Sequence, residues 1–237
     1  MSHPRTKAAD ADAPQLHRAR KKKPQTNSMS ASPILLVRHA VGYHNLAYDD
    51  ECSVEFYDAL LTPSGIREAK AVAPHILIHI CASSPVQVFV SPLRRCVQTC
   101  AAMLSKADPT TAFHRPVAAR VLMEHSSHED SAGHSARHMA RHYPWCDWSV
   151  LRQCPEVWWS KSYRLDKSRA TAALAYLREK ARVGPVLAFS HGNIIQRMTG
   201  HSLHNCEGAI SFDHGRTWKR IHLGRSPSRT APRPRMC

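Results

Sequence analysis

The sequence predicts a three-layer αβα sandwich around a mostly parallel sheet, and three features predict it. Short apolar runs at Ile34–Val37, Val86–Val90 and Val186–Phe189 have the length and Val/Ile/Leu character of strands buried on both faces. Stretches of helical period separate these runs, the alternation that builds parallel α/β sheets. The chain has 237 residues, enough for one large domain, and shows no internal repeat.

The elements follow in order. Residues 1–30 are rich in Ala, Pro, Lys and Arg, almost without large apolar side chains, and read as a disordered basic tail. The domain spans 31–223, and residues 224–237 form a second basic tail. Strand 34–38 leads into an irregular segment, 39–61. Thr62 then suits a helix N-cap and Pro63 its first position, because the missing N–H costs nothing there. This helix runs to about Ile80, with Pro74 as a point of kinking. After strand 86–90, Ser91-Pro92 repeats the cap-plus-proline device. The helix behind it buries Leu93, Cys96, Val97, Cys100, Ala101 and Leu104. A third strand is expected at 117–123.

Residues 125–165 carry many His, Trp and Pro side chains and no long period. They read as an insertion over one end of the sheet, with a short helix at Ser135–His142. Helix 166–182 follows, with Ala170, Ala173, Leu174, Leu177 and Ala181 on one face, and Gly184-Pro185 ends it. After the fourth strand, Ile194, Ile195 and Met198 mark a further helix. Two short strands near 208–213 and 217–223 close the domain.

Composition bounds the function classes. The formal net charge is +15. The two ends, 1–30 and 216–237, contribute +12 of it, so the region between them is nearly balanced at +3. The core is therefore not expected to bind nucleic acid stably. Arg18–Lys23 reads as a nuclear-localisation patch or as part of a solvated tail. No apolar run approaches a membrane span, and no secretory apolar region opens the chain, so a soluble cytoplasmic protein is the default. The eight cysteines contain no CxxC pair and are read as free thiols.

The chemistry gathers at the strand ends. The first strand stops at Arg38-His39, the second leads to Arg94-Arg95, the third reaches Glu124, and the fourth stops at Ser190-His191-Gly192. Sites in open parallel sheets form outside the carboxyl ends of the strands, so groups distant in sequence share one crevice. A phosphoryl group needs fixed cationic donors, and Arg supplies planar bidentate ones. In this reading His39 is the nucleophile, while Arg38, Arg95 and His191 cradle the phosphoryl oxygens. The helices opening after Ser91 and at Gly192 add backbone N–H groups. Glu124 protonates the leaving oxygen. Arg94 competes with Arg95 for the pocket, and Glu129 and Asp130 are alternative acids. No cofactor or metal is required, because cationic side chains supply the charge. His125, His128, His134, His138 and His142 lack a matching Asp, Glu or Cys ligand set and are read as a solvated or lid surface. Trp145, Trp148, Trp158 and Trp159 are read as packing.

The stretches LVRHAVGYHN, DALLTPSG, SPLRRCVQT, LMEH and FSHGN, in that order, resemble the histidine phosphatase superfamily in its phosphoglycerate-mutase-like branch. The resemblance covers roughly residues 32–214. It implies a phosphoglycerate-mutase-like fold, a phosphate pocket at Arg38, His39, Arg95 and His191, an Asn45 contact to the phosphoryl group, and Glu124 as proton donor. Two departures bear on substrate. Ala40-Val41 stands where many members have Gly-Glu, and HSSHEDS after Glu124 lacks the Tyr-Gly expected of a glycolytic mutase. The expected activity is hydrolysis of phosphomonoesters, with mutase-type transfer or a catalytically weak phosphate-binding protein as alternatives. The expected partner is a phosphorylated small molecule, a phosphoprotein being the alternative. Oligomeric state is left open.

Overall fold

The computed structural model describes residues 32–46, 56–80, 84–128 and 131–223. Residues 1–31 and 224–237, which contain the two tails, lie outside the described residues, as do Glu129 and Asp130.

A six-stranded sheet organises the chain in the order β3-β2-β4-β1-β5-β6. The strands are β1 (Ile34–Arg38), β2 (Gln87–Val90), β3 (Val117–Ala118), β4 (Val186–Ser190), β5 (Gly208–Ser211) and β6 (Lys219–Ile221). Strands β3, β2, β4 and β1 are parallel, while β5 runs antiparallel to β1 and β6 antiparallel to β5. β4, the last of the parallel strands in the chain, fills the gap between β2 and β1, so its carboxyl end is flanked by the ends of those two earlier strands.

Period-two alternation divides the core. Leu35, Val37, Val88, Val90, Leu187 and Phe189 face one cluster, and Ile34, Leu36, Phe89, Val186 and Ala188 face the other. Helices α1 (Pro63–Leu77) and α2 (Arg94–Leu104) cover the first face. Helices α6 (Arg169–Ala181) and α7 (Gly192–Thr199) cover the second. Burying each such Val, Leu, Ile or Phe contributes about 1.5–3 kcal/mol, which is why polar side chains enter the central strands only at their ends, as Arg38, Gln87 and Ser190.

The start of α1 follows from its sequence. Thr62 accepts a hydrogen bond from Gly65 N at 2.9 Å, and Pro63 occupies the first turn. Pro74 lies inside the helix, and the chain tightens into a 3-10 turn at Ile78–Ile80.

Three expectations are corrected. The cap of α2 is Leu93, not Ser91, because Arg94 N donates to the Asp58 carboxylate at 2.8 Å and starts the helix two residues later. The expected face of α2 holds at Leu93, Cys96, Val97, Cys100 and the half-buried Leu104, but Ala101 is exposed while Ala102 and Met103 are buried. The third strand is only Val117–Ala118, since the chain turns into a 3-10 helix at Arg120–Leu122.

The insertion carries α3 (Ala136–His142), α4 (Ser149–Arg152) and α5 (Lys161–Leu165). Ser135 caps α3. Trp158 is fully buried and donates to His134 O at 2.8 Å, while its ring lies against Gly133, where any Cβ would clash at 2.4 Å. Trp148 is also buried, and Trp145 is partly exposed. Among the described residues no helix is long and apolar enough to cross a membrane. Cys96, Cys100, Cys146, Cys154 and Cys206 are free thiols; the other three cysteines lie outside the described residues.

Candidate active site

Backbone hydrogen bonds continue past the strands and lock their ends together. His39 N donates to Ser190 O at 3.0 Å, and Ser91 N donates to Phe189 O at 2.9 Å. This brings the ends of β1, β2 and β4 to one point, with His191 between His39 and Ser91.

His39 is 2% exposed. Its Nδ1 lies 2.7 Å from Ala40 O, which can only accept, so Nδ1 carries the proton and Nε2 keeps its lone pair. Ala40 is itself fixed, because its N–H donates to Thr99 Oγ1 at 3.0 Å and that hydroxyl donates to Arg95 O at 2.7 Å. Burial holds the His39 imidazole well below its ordinary pKa, and the nearby Arg95, His44 and Arg38 push the same way. The ring is neutral at neutral pH, as an attacking nitrogen must be.

His191 is fully buried, its ring centroid 5.1 Å from that of His39. Arg95 Nε donates to His191 Nδ1 at 3.2 Å. Nε2 therefore bears the proton, and Ser91 Oγ receives it at 2.7 Å. Burial, then Arg95 and His39, hold His191 well below the ordinary imidazole pKa. Ser91, expected as a helix cap, thus orients the second histidine instead.

Arg95 is 1% exposed and also lies 3.5 Å from Ser131 Oγ of the insertion. Its rival Arg94 turns away from this cluster, donating to Asp58 O at 2.8 Å and Tyr57 O at 3.2 Å. Arg38 donates to Leu203 O at 2.6 Å, while its buried Nε has no protein partner. A Cβ on Gly192 would lie 3.2 Å from Arg38 Cζ, so the glycine lets the guanidinium lie against the start of α7.

Glu124 sits at that same helix start. Its carboxylate accepts from His125 N at 2.7 Å, Ile194 N at 3.2 Å and Asn193 N at 3.4 Å. Arg169, 2% exposed, holds the backbone beneath it by donating to Met123 O at 3.0 Å and Glu124 O at 2.8 Å. The two helix starts expected to bind phosphate directly are therefore occupied by carboxylates, Asp58 at α2 and Glu124 at α7. Among the described residues, the Gly192 N–H has no protein acceptor.

Asn45 closes a 3-10 turn at Tyr43–Asn45, accepting from Gly42 N at 3.0 Å. Its amide nitrogen contacts His44 Nε2 at 3.1 Å. His44 borders His39 at a ring distance of 5.3 Å, and burial with Arg95 and Arg38 lowers its pKa to about 3. Asn205 donates to His39 O at 2.9 Å and reaches Asn45 Oδ1 at 3.4 Å.

The structure thus brings Arg38, His39, Arg95, His191 and Gly192 together, with Glu124 on the α7 side and Asn45 on the His44 side. Ser91, His44, Thr99, Arg169 and Asn205 were missed. Only His44 had a sequence signal, its place beside Asn45. The insertion histidines His134, His138 and His142 stack at ring distances of 4.2 and 4.4 Å. Among the described residues no group of three or more His, Cys, Asp or Glu is arranged to hold a metal ion.

The family model for the histidine phosphatase superfamily (branch 1) matches residues 34–217. Among solved structures, the ecdysone phosphate phosphatase of Bombix mori, in complex with tungstate, aligns at 15% identity and TM-score 0.50, covering 87% of this chain and 98% of that one. The product of open reading frame Rv3214 from Mycobacterium tuberculosis aligns at 22% identity and TM-score 0.47, covering 81% and 97%. At 15% identity the likeness to the Bombix mori enzyme shows the fold alone. No curated protein matches the chain.

Proposed function

The chain belongs to the histidine phosphatase superfamily (branch 1), and from that premise we propose that it hydrolyses phosphomonoesters through a phosphohistidine on His39. The observation that carries this reading is the His39 tautomer: Nδ1–H is committed to Ala40 O, and Nε2 is left with its lone pair beside His191, the buried Arg95 and the half-buried Arg38.

In the first step His39 Nε2 attacks phosphorus and the P–O ester bond breaks, its electron pair going to the leaving oxygen. Glu124 delivers a proton to that oxygen. Arg38 and Arg95 neutralise charge on the equatorial oxygens. The N–P bond then breaks as water attacks. Glu124, now a carboxylate, takes the water proton, inorganic phosphate leaves, and the His39 lone pair is restored. The proton balance closes without a cofactor, and the arginines supply the charge stabilisation. The low pKa of His39 keeps it a nucleophile well below pH 6.5.

Hydrolysis is favoured over mutase transfer because Val41 stands where many relatives place a carboxylate. The test is a trapped phosphoenzyme with an aryl phosphate. Wild type should give an acid-labile, base-stable phosphoenzyme, and His39→Ala should give none and lose turnover. Undiminished turnover in His39→Ala would refute the mechanism. A requirement for a bisphosphate primer would favour the mutase alternative.

A further inference from the structure

Away from the cluster around His39, the insertion carries a groove between α3 and α4. Three adjoining hollows of about 310, 510 and 220 Å³ make it up. Arg152 lines all three, Ala140 is shared by the first two and Arg137 by the last two, so the hollows form one channel. None of the side chains used in the catalytic steps above lines it.

Its walls are rich in guanidinium. Arg137 and Arg141, four residues apart, share one exposed face of α3, and Arg152 is exposed at the end of α4. Among the described residues, these three guanidiniums have no hydrogen bond or ion pair. Arg115 lines the first hollow and is fixed there, donating to Pro144 O at 2.8 Å, Cys146 O at 3.2 Å and Trp145 O at 3.3 Å. Two acids also line the groove, Asp147 in the first hollow and Glu156 in the third. Hydrogen bonds from Ser149, whose N–H donates at 2.9 Å, and then Arg115 and Arg152 hold the Asp147 carboxyl below its usual pKa. Ala136 and Ala140 give the α3 wall small side chains, which let an extended backbone come close.

We propose that this groove docks an acidic peptide segment of a protein partner. The planar forks of its arginines match carboxylates in bidentate pairs. The positive charge is local to the groove, because residues 31–215 as a whole carry a net of only +3. A nucleic-acid strand presents a phosphate at every unit and would run past Asp147 and Glu156, whereas a peptide can seat its carboxylates between them. Docking is separate from the His39 chemistry and stands whether or not that chemistry holds.

Fluorescence anisotropy on the full chain tests it, with a labelled dodecapeptide of alternating Glu and Ser and its Gln-Ser counterpart. The Glu peptide should bind at least about tenfold more tightly, since several exposed ion pairs contribute up to about fivefold each. Arg137→Gln/Arg141→Gln/Arg152→Gln should weaken it by about tenfold on the same scale, with Tm unchanged. The corresponding three lysine replacements should keep part of the binding. Lys21→Gln/Lys22→Gln/Lys23→Gln, in the first basic tail, should cost less than about twofold, because solvated charges are screened. Equal binding of the two peptides, or as large a loss in the tail variant as in the groove variant, overturns the proposal. So does a thymidine oligonucleotide of equal charge that loses as much affinity in the groove variant as the peptide does. Two other occupants would also displace it. One is a second copy, if wild type self-associates and the groove variant does not. The other is the chain's own acidic stretch, if the peptide binds only after Asp49→Asn/Asp50→Asn/Glu51→Gln.

Discussion

Replacing Arg169 with lysine tests how Glu124 is held. The guanidinium bridges Met123 O at 3.0 Å, Glu124 O at 2.8 Å and Arg164 O at 3.5 Å, from a position 2% exposed at the start of α6. Lysine keeps the charge but is a point donor on a different stem, so it satisfies one of the two short bonds at best. A hydrogen bond from a charged donor contributes about 1.5–3 kcal/mol, so the expected loss of stability is about 2–3 kcal/mol. Under the proposed mechanism the catalytic effect comes from displacement of Glu124, its acid. A shift of about 1 Å in a positioned group costs up to about 100-fold, and general acid catalysis as a whole contributes about 100- to 10,000-fold. The assay compares an alkyl phosphate, whose alkoxide cannot leave unprotonated, with 4-nitrophenyl phosphate, whose phenolate can. Arg169→Lys should slow the alkyl ester by about 100-fold and the nitrophenyl ester by less than about threefold. Equal losses on the two would mean that Arg169 merely supports the fold, and the positioning argument would be refuted.

Further predictions use the same geometry. Ser91→Ala removes the acceptor of His191 Nε2–H and should cost about 1–3 kcal/mol by denaturant titration, with imidazole ¹⁵N shifts reporting a disturbed His191 tautomer. Gly192→Ala places a methyl 3.2 Å from Arg38 Cζ. Inhibition by inorganic phosphate or vanadate should weaken several-fold, by about 1 kcal/mol, with little change in Tm. On acidification two opposing terms act. His39, His44 and His191 have depressed folded-state pKa values, so their unfolded forms take up protons first and stability falls below about pH 6.5. Burial pushes the Asp58 carboxyl up to about 7, so it stabilises the fold as pH drops from 7 towards 4. At about 1.4 kcal/mol per pH unit for each group, three against one leaves a net loss approaching about 3 kcal/mol per unit. The urea midpoint should therefore be clearly lower at pH 5.5 than at pH 7.0, and an unchanged or higher midpoint would contradict the scheme.

The strands and the first helix start were legible because local rules determine them. Ile34–Val37 has only one way to bury four apolar side chains, and Thr62-Pro63 is a start signal that nothing overrides. Ser91-Pro92 carries the same signal, but a distant group overrides it. Asp58 captures Arg94 N and moves the helix start, which releases Ser91 to bond His191. Spacing along the chain holds no record of that exchange. Arg169 was hidden for a related reason: an arginine at a helix start reads as solvated, and only the tertiary fold buries it against the carbonyls of 123 and 124. His39, Arg95 and His191 were visible because each follows a strand end, where the parallel topology gathers side chains.

The strand order has a consequence for synthesis. β1 pairs with β4 and β5 only, so Ile34 faces Val186 and Ser211, the nearer of them about 150 residues later in the chain. A ribosome adding about 5–20 residues per second needs about 8–30 s to bridge that interval. Throughout it, an apolar strand that runs into Arg38 and His39 has neither neighbour available. Helices α1 and α2, both made in that interval, can pack together but have no complete sheet to cover. The nascent chain is thus most exposed to aggregation and chaperone capture before β4 emerges, and the two histidines meet only in its last stage.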